Sequence, residues 1–207
     1  MSKIVVLGAG ISGHTAAAHL RRKLSKEHEV LVVSPNRNYQ WVPSNIWVGI
    51  GRMKSKEVIF PLEPLYKRKG IGYKQAKAVS FHPEGDSSEA KPYILVEGVF
   101  GDNLGKQEKV TYDYLINATG PKLAFDMTEG LQPATNKVYS VCTYDHAEHA
   151  SEALHKLIDQ LKKSDKKAKI LIGTGHAKAT CQGAAFEYIL NVEKELQKFG
   201  VRDKAEI

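Results

Sequence analysis

Only two cysteines, Cys142 and Cys181, occur in the 207 residues. That is too few for a disulfide framework, so each must be judged by its local chemistry. No apolar run approaches the ~20 residues that a membrane-spanning helix needs. The apolar run at residues 4–7 is too short for the core of a secretory signal; nothing marks export, and a cytoplasmic-side origin is expected. Also missing is a basic stripe interleaved with aromatics. The net charge is +7, but the basic residues are spread out, with modest clusters at 21–23, 67–69 and 162–169. Such clusters suit solvated helix faces, an anionic surface or an anionic substrate better than single-stranded nucleic acid. No nucleic-acid partner and no metal site are assigned. With 42% hydrophobic and 26% charged residues, the composition is that of an ordinary globular chain, long enough for one large domain or one and a half of usual size.

What is present is concentrated at the start. Lys3-Ile4-Val5-Val6-Leu7 runs into Gly8-Ala9-Gly10-Ile11-Ser12-Gly13 and then into an alanine-rich helical pattern from His14 to Leu20. This is strand, tight turn and helix. Gly8 permits the turn, Gly10 lets a pyrophosphate approach the backbone, and Gly13 lets the helix pack on the strand, while helix N-terminal amides receive the negative charge. A second parallel strand follows at residues 29–33. Its end departs from the usual fingerprint, which places a carboxylate there for the ribose hydroxyls. This chain has Ser34, Pro35 and Asn36 instead, so a hydroxyl or a backbone group must serve, and FAD fits better than NAD.

Residues 38–52 read as a structured loop. Its aromatics either lid the sheet or wall a flat ring system, with Trp41 and the backbone of Pro43, Ser44 and Asn45 approaching it. Residues 70–81 read as a third strand, carrying Ala78, and 92–96 with 109–112 as an antiparallel meander. The meander feeds a buried strand and small-residue turn, Tyr114-Leu115-Ile116-Asn117-Ala118-Thr119-Gly120. Near Cys142, Thr143 is a plausible N-cap for a helix with apolar positions Ala147, Ala150, Leu154, Leu157 and Leu161. His146 in its first turn is either a proton handler or a neutral capping residue. Residues 169–175 repeat the strand-then-glycine grammar, but Lys178 stands where the third glycine belongs, which disfavours pyridine-nucleotide binding there. Cys181 precedes a helical pattern, where N-terminal amides favour a thiolate; the plain alternative is a small buried hydrophobe. Glu187 is buried by pattern, and is either a structural acceptor or a carboxylate beside a ring system.

The opening fingerprint with the later Tyr112-Asp113-x-Leu115-Ile116-x-Ala118-Thr119-Gly120 strand and turn resembles flavoproteins built from two dinucleotide-binding domains. Residues 41–49, 60–62, 118–125, 140–148 and 181–187 together resemble the sulfide:quinone oxidoreductases. The resemblance implies an α/β fold: a Rossmann-like FAD-binding domain with an antiparallel meander over residues 1–125, and the start of a second such domain over 126–207. It sets Thr119 and Gly120 against the FAD pyrophosphate region and groups Ala78 with the cofactor contacts. It makes Cys181 the redox cysteine nearest the flavin and Cys142 an auxiliary one, with His146 and Glu187 in the same catalytic set. Sulfide would be oxidised to sulfane sulfur and quinone reduced, at a membrane surface in a peripheral bacterial or archaeal protein, with self-association left open. The likeness covers only the amino-terminal part of that family's length. A fragment or a natural short form is therefore expected, poorly soluble or holding flavin weakly by itself. The alternatives are an NADH-dependent quinone reductase of the same architecture and a non-catalytic dinucleotide-binding remnant.

Overall fold

A computed structural model describes residues 1–132 and 138–207. In chain order the first elements are β1 (Lys3–Leu7), α1 (Ile11–Lys23), β2 (Glu29–Ser34), β3 (Asn38–Gln40), α2 (Asn45–Gly49) and α3 (Ser55–Val58). There follow β4 (Ile59–Pro61), α4 (Leu62–Lys69), β5 (Gly72–His82), β6 (Tyr93–Gly98), β7 (Gln107–Thr111) and β8 (Tyr114–Asn117). The chain continues through α5 (Tyr144–Lys162), β9 (Ala168–Lys169), α6 (Gln182–Lys198) and β10 (Ala205–Glu206). It divides into two compact units, one of residues 1–40 and 60–122, the other of residues 41–59 and 123–207. The sequence suggested one cut near residue 125. The excursion at 41–59 goes with the second unit because Val48, Ile50 and Val58 are buried among side chains of that unit.

The first unit is built on a six-stranded sheet in the order β7-β6-β5-β2-β1-β8. β5, β2, β1 and β8 are parallel, and β6 and β7 continue the sheet as an antiparallel meander. Ile4 to Leu7 and Val30 to Ser34 are all buried, as expected of parallel strands covered on both faces. One face packs Val6, Val30 and Val32 with Ala17, Leu62 and Tyr66. The other packs Val5, Leu7, Leu31 and Val33 with Ala76, Ile94 and Val96. α1 turns Gly13 and Ala17 inward, so small residues let its backbone lie close on the sheet. At its far end Arg21 donates to the carbonyls of Leu24 and His28, stabilising the end where the dipole is negative.

In the second unit α5 buries Ala147, Ala150, Leu154, Ile158 and Leu161. This is the stripe expected from the sequence, except that Ile158 is buried and Leu157 only partly so. α6 completes that core with Val192 and Leu196. The strand expected at residues 169–172 is shorter: β9 holds two residues, pairs only with β10 among the described residues, and leaves Leu171 92% exposed. Beyond the two residue pairs, the Ile170 N–H donates to the Glu206 carbonyl at 2.8 Å, and so short a pairing does not sustain a longer strand. Residues 38–52 are not a loop either. After Trp41, whose N–H donates to the Val58 carbonyl at 2.7 Å, a turn of 3-10 helix at 42–44 leads directly into α2.

Candidate functional site

The carboxyl ends of β1, β2 and β8 lie side by side. The Gly8 N–H donates to the Val33 carbonyl and the Ala118 N–H to that of Leu7, both at 2.8 Å. Gly8 has φ +91°, and a Cβ there would stand 2.2 Å from the Ala118 carbonyl oxygen, so only glycine lets the β1 and β8 turns meet. A Cβ on Gly13 would stand 2.0 Å from the Gly8 carbonyl oxygen. Gly10 is different: a Cβ there would meet nothing within 4 Å. Two of the three glycines are thus required by the protein's own packing, and the third faces open space.

That space has the chemistry of an anion cradle. Gly10 is the N-cap of α1 and makes no side-chain capping bond, and the first turn carries no acidic residue. The positive end of the helix thus carries no capping or acidic side chain of its own first turn, the setting in which helix amides can receive an anion. Ile11 and Ser12 are exposed at the rim, while Ala9 is buried beneath. Thr119 and Gly120 are exposed on the neighbouring turn. Asn117 Oδ1 accepts from the Thr119 N–H at 3.2 Å and from its hydroxyl at 2.9 Å, which fixes that turn from within. Ala78 is half-buried and lies three positions beyond Gln75, the partner of the last β2 residue; the ladder then shifts between Ala78 and Ser80. At the end of β2, Ser34 is buried and its hydroxyl accepts from the Asn36 N–H at 3.3 Å. Pro35 is exposed beside it. The side chain of Ser34 is turned into its own turn, and residues 35–37 are exposed at the end of β2. A dinucleotide pyrophosphate fits the open Gly10 position and the uncapped amides.

His14, the residue after Gly13, is held by Tyr66, whose hydroxyl lies 3.1 Å from His14 Nδ1. Its ring lies 5.0 Å from that of Tyr39 and 5.8 Å from that of Phe60, which stack on each other at 4.6 Å. Burial, and secondarily the Lys69 charge, lower its pKa below the ordinary 6.5. The unfolded chain therefore binds the proton first, so stability is retained above about pH 6.5 and lost as pH falls through the folded-state value. We expect the urea midpoint of the wild type to fall more than that of His14→Gln between about pH 7.5 and about pH 5.5. Parallel pH profiles would show that His14 carries none of this dependence.

The remaining residues singled out by the sequence belong to the second unit. Cys181 is exposed, not a buried hydrophobe, and is the N-cap residue of α6, whose first turn carries no acidic side chain. Cys142 is also exposed; it precedes Thr143, the N-cap residue of α5, and its N–H donates to Ser140 Oγ at 3.1 Å. Thr143 makes no side-chain capping bond. His146 is half-buried in the first turn of α5, with its ring edge-on to Phe125 at 5.5 Å. Its Nδ1 is buried and lacks a hydrogen-bond partner among the described residues, so capping does not account for it. Trp41 is 47% exposed and Pro43 exposed, whereas Ser44 is half-buried and Asn45 buried at the first position of α2.

Glu187 is not buried; it is exposed. The inward face of α6 is set by Tyr188, Val192 and Leu196, one helical turn apart, and Glu187 lies about 100° away from Tyr188. The buried carboxylate of this helix is Glu195, 1% exposed and paired with Arg52. Its position three residues after Val192 in the same stripe was visible in the sequence as an acid among apolar residues. Tyr188 donates to the Gly49 carbonyl at 2.9 Å, and burial pushes its pKa up to about 12.

A family model for pyridine nucleotide-disulphide oxidoreductase matches residues 2–185, and the chain belongs to that family. Within it, the chain is 28% identical to the sulfide-quinone reductase of Aquifex aeolicus over 97% of its own length and 41% of that protein. The crystal structure of the sulfide:quinone oxidoreductase of Aquifex aeolicus superposes with a TM-score of 0.75 at 26% identity, covering 99% of this chain and 42% of that one. The type II NADH:quinone oxidoreductase of Haemophilus influenzae is 28% identical over 84% of this chain and 38% of its own length. The chain thus spans about two fifths of the length of these relatives.

Proposed function

We infer that the chain binds FAD in the cradle at the carboxyl ends of β1, β2 and β8 and serves the oxidation of sulfide with quinone as electron acceptor. Bound FAD would supply two-electron chemistry, accepting the electrons of sulfide oxidation and releasing them to quinone. Gly8 to Gly13, with Thr119 and Gly120, would hold its pyrophosphate. Cys181, exposed at the start of α6, would be the thiolate that bonds to sulfur, with Cys142 auxiliary to it. His146, whose Nδ1 lacks a partner among the described residues, would hold a proton in the same unit. Glu187, now exposed, retains no separate support for a catalytic part.

The observation favouring sulfide over NADH is the second glycine turn. α1 begins three positions after Gly8, whereas α6 begins only nine positions after Gly173, and its N-cap is Cys181. A pyrophosphate seat needs the helix start next to the glycines; here that helix start carries a thiol. Relatives of both kinds support quinone as the acceptor. Membrane-surface binding and self-association are proposed from the resemblance alone; among the described residues no helix is long and apolar enough to cross a membrane.

The test is anaerobic reduction of the FAD-loaded protein purified from its full reading frame, followed at the flavin absorbance band. Sulfide is expected to bleach the band and NADH to leave it. Bleaching by NADH alone would replace this reading with the NADH-dependent one, and bleaching by neither would leave the non-catalytic remnant.

A further inference from the structure

Dinucleotide sites of this architecture hold the adenosine ribose through a carboxylate at the end of the second strand. Here no acidic residue occurs between Glu29 and Glu57, and Ser34, the last residue of β2, is 1% exposed with its hydroxyl engaged by the Asn36 N–H. The ribose must find another partner. The turn that follows is braced from β5, which runs parallel beside β2. Tyr73 donates its hydroxyl to the Asn36 carbonyl at 2.6 Å, and Gln75 Nε2 donates to that of Pro35 at 3.3 Å. Asn36 is therefore held at both its N–H and its C=O, while the residue itself is exposed. It stands at the same sheet edge as the glycine cradle, because the Gly8 N–H is bonded to the carbonyl of Val33.

We propose that Asn36 recognises the adenosine ribose of the bound cofactor. Its carboxamide both donates and accepts, so it meets the hydroxyl pair that a carboxylate would meet by accepting twice. Bracing by Tyr73 and Gln75 fixes the backbone from which that amide extends, which lowers the ordering cost of the contact. The proposal rests on the reading of the cradle as an FAD site.

Binding of FAD, and of FAD lacking both adenosine ribose hydroxyls, to the full apo chain by flavin fluorescence tests it. Asn36→Ala is expected to weaken FAD about five- to tenfold and to leave the deoxy analogue within about twofold, with the thermal midpoint unchanged. Asn36→Asp, which restores an acceptor, should keep FAD within about threefold of wild type. Equal weakening of both ligands by Asn36→Ala, or weakening of neither, overturns the assignment. If FAD is lost in Gly10→Val but insensitive to Asn36, only this inference falls. If the wild type takes up no FAD, the cradle reading falls and this one with it.

Discussion

Gly10→Val and Gly13→Val are expected to fail in opposite ways. At Gly13 the added Cβ would stand 2.0 Å from the Gly8 carbonyl oxygen, which is backbone and cannot swing aside. Either α1 lifts from the sheet or the Gly8 turn moves, and the Gly8 turn is itself pinned against the Ala118 carbonyl. Overpacking against backbone should cost about 3 kcal/mol or more, which lowers the melting temperature by roughly 10 °C for a chain of this size. At Gly10 the backbone is extended, with φ −72° and ψ −170°, a conformation open to any residue. The added side chain meets no protein atom, so the cost is limited to the poorer N-cap, less than ~1 kcal/mol. Flavin affinity is nevertheless expected to drop more than tenfold, ~1.4 kcal/mol, because the valine fills the pyrophosphate's approach. Melting curves and flavin content of the two variants separate these cases. A Gly10→Val protein that retains its full flavin complement would remove the cradle assignment.

Cys181→Ser carries the largest expected effect on chemistry. The residue begins α6, where the unpaired amides of the first turn favour an anion, and no acidic side chain in that turn opposes it. Sulfur transfer needs a thiolate that can form and release a bond to sulfur, and a serine hydroxyl at neutral pH supplies neither. Because the residue is exposed, the substitution leaves no cavity in a core, and FAD content should match the wild type. Sulfide-dependent bleaching should slow by at least about a hundredfold. Cys142→Ser, also exposed, is expected to slow it much less. Bleaching in Cys181→Ser as rapid as in the wild type would end the part assigned to this thiol. With it would go the main argument for sulfide as the donor.

The sequence by itself determined the strand, glycine turn and helix at residues 3–23, the parallel second strand, the meander and the stripe of α5. Each is a local pattern: a fully apolar run, glycines at fixed spacing, or apolar residues returning every three or four positions. The placement of both cysteines before helices was legible for the same reason. Only the tertiary structure decided which glycines serve packing and which faces open space, because Gly8 is confined by the Ala118 carbonyl, more than a hundred residues further along the chain, and Gly13 by the Gly8 turn so held. It likewise decided that Ser34 turns inward while Asn36 is held by Tyr73 and Gln75, contacts made by a strand that arrives beside β2 after a long excursion. It moved residues 41–59 into the second unit through side chains packed on α5. It also exchanged Glu187 for Glu195 as the buried carboxylate of α6. Helical periodicity offers several apolar faces along Phe186, Tyr188, Leu190 and Val192, and the partner core selects one of them: Phe186 and Leu190 remain 69% exposed while Val192 and Leu196 are buried. Which face is inside is a property of what the helix packs against, and that information lies in other parts of the chain.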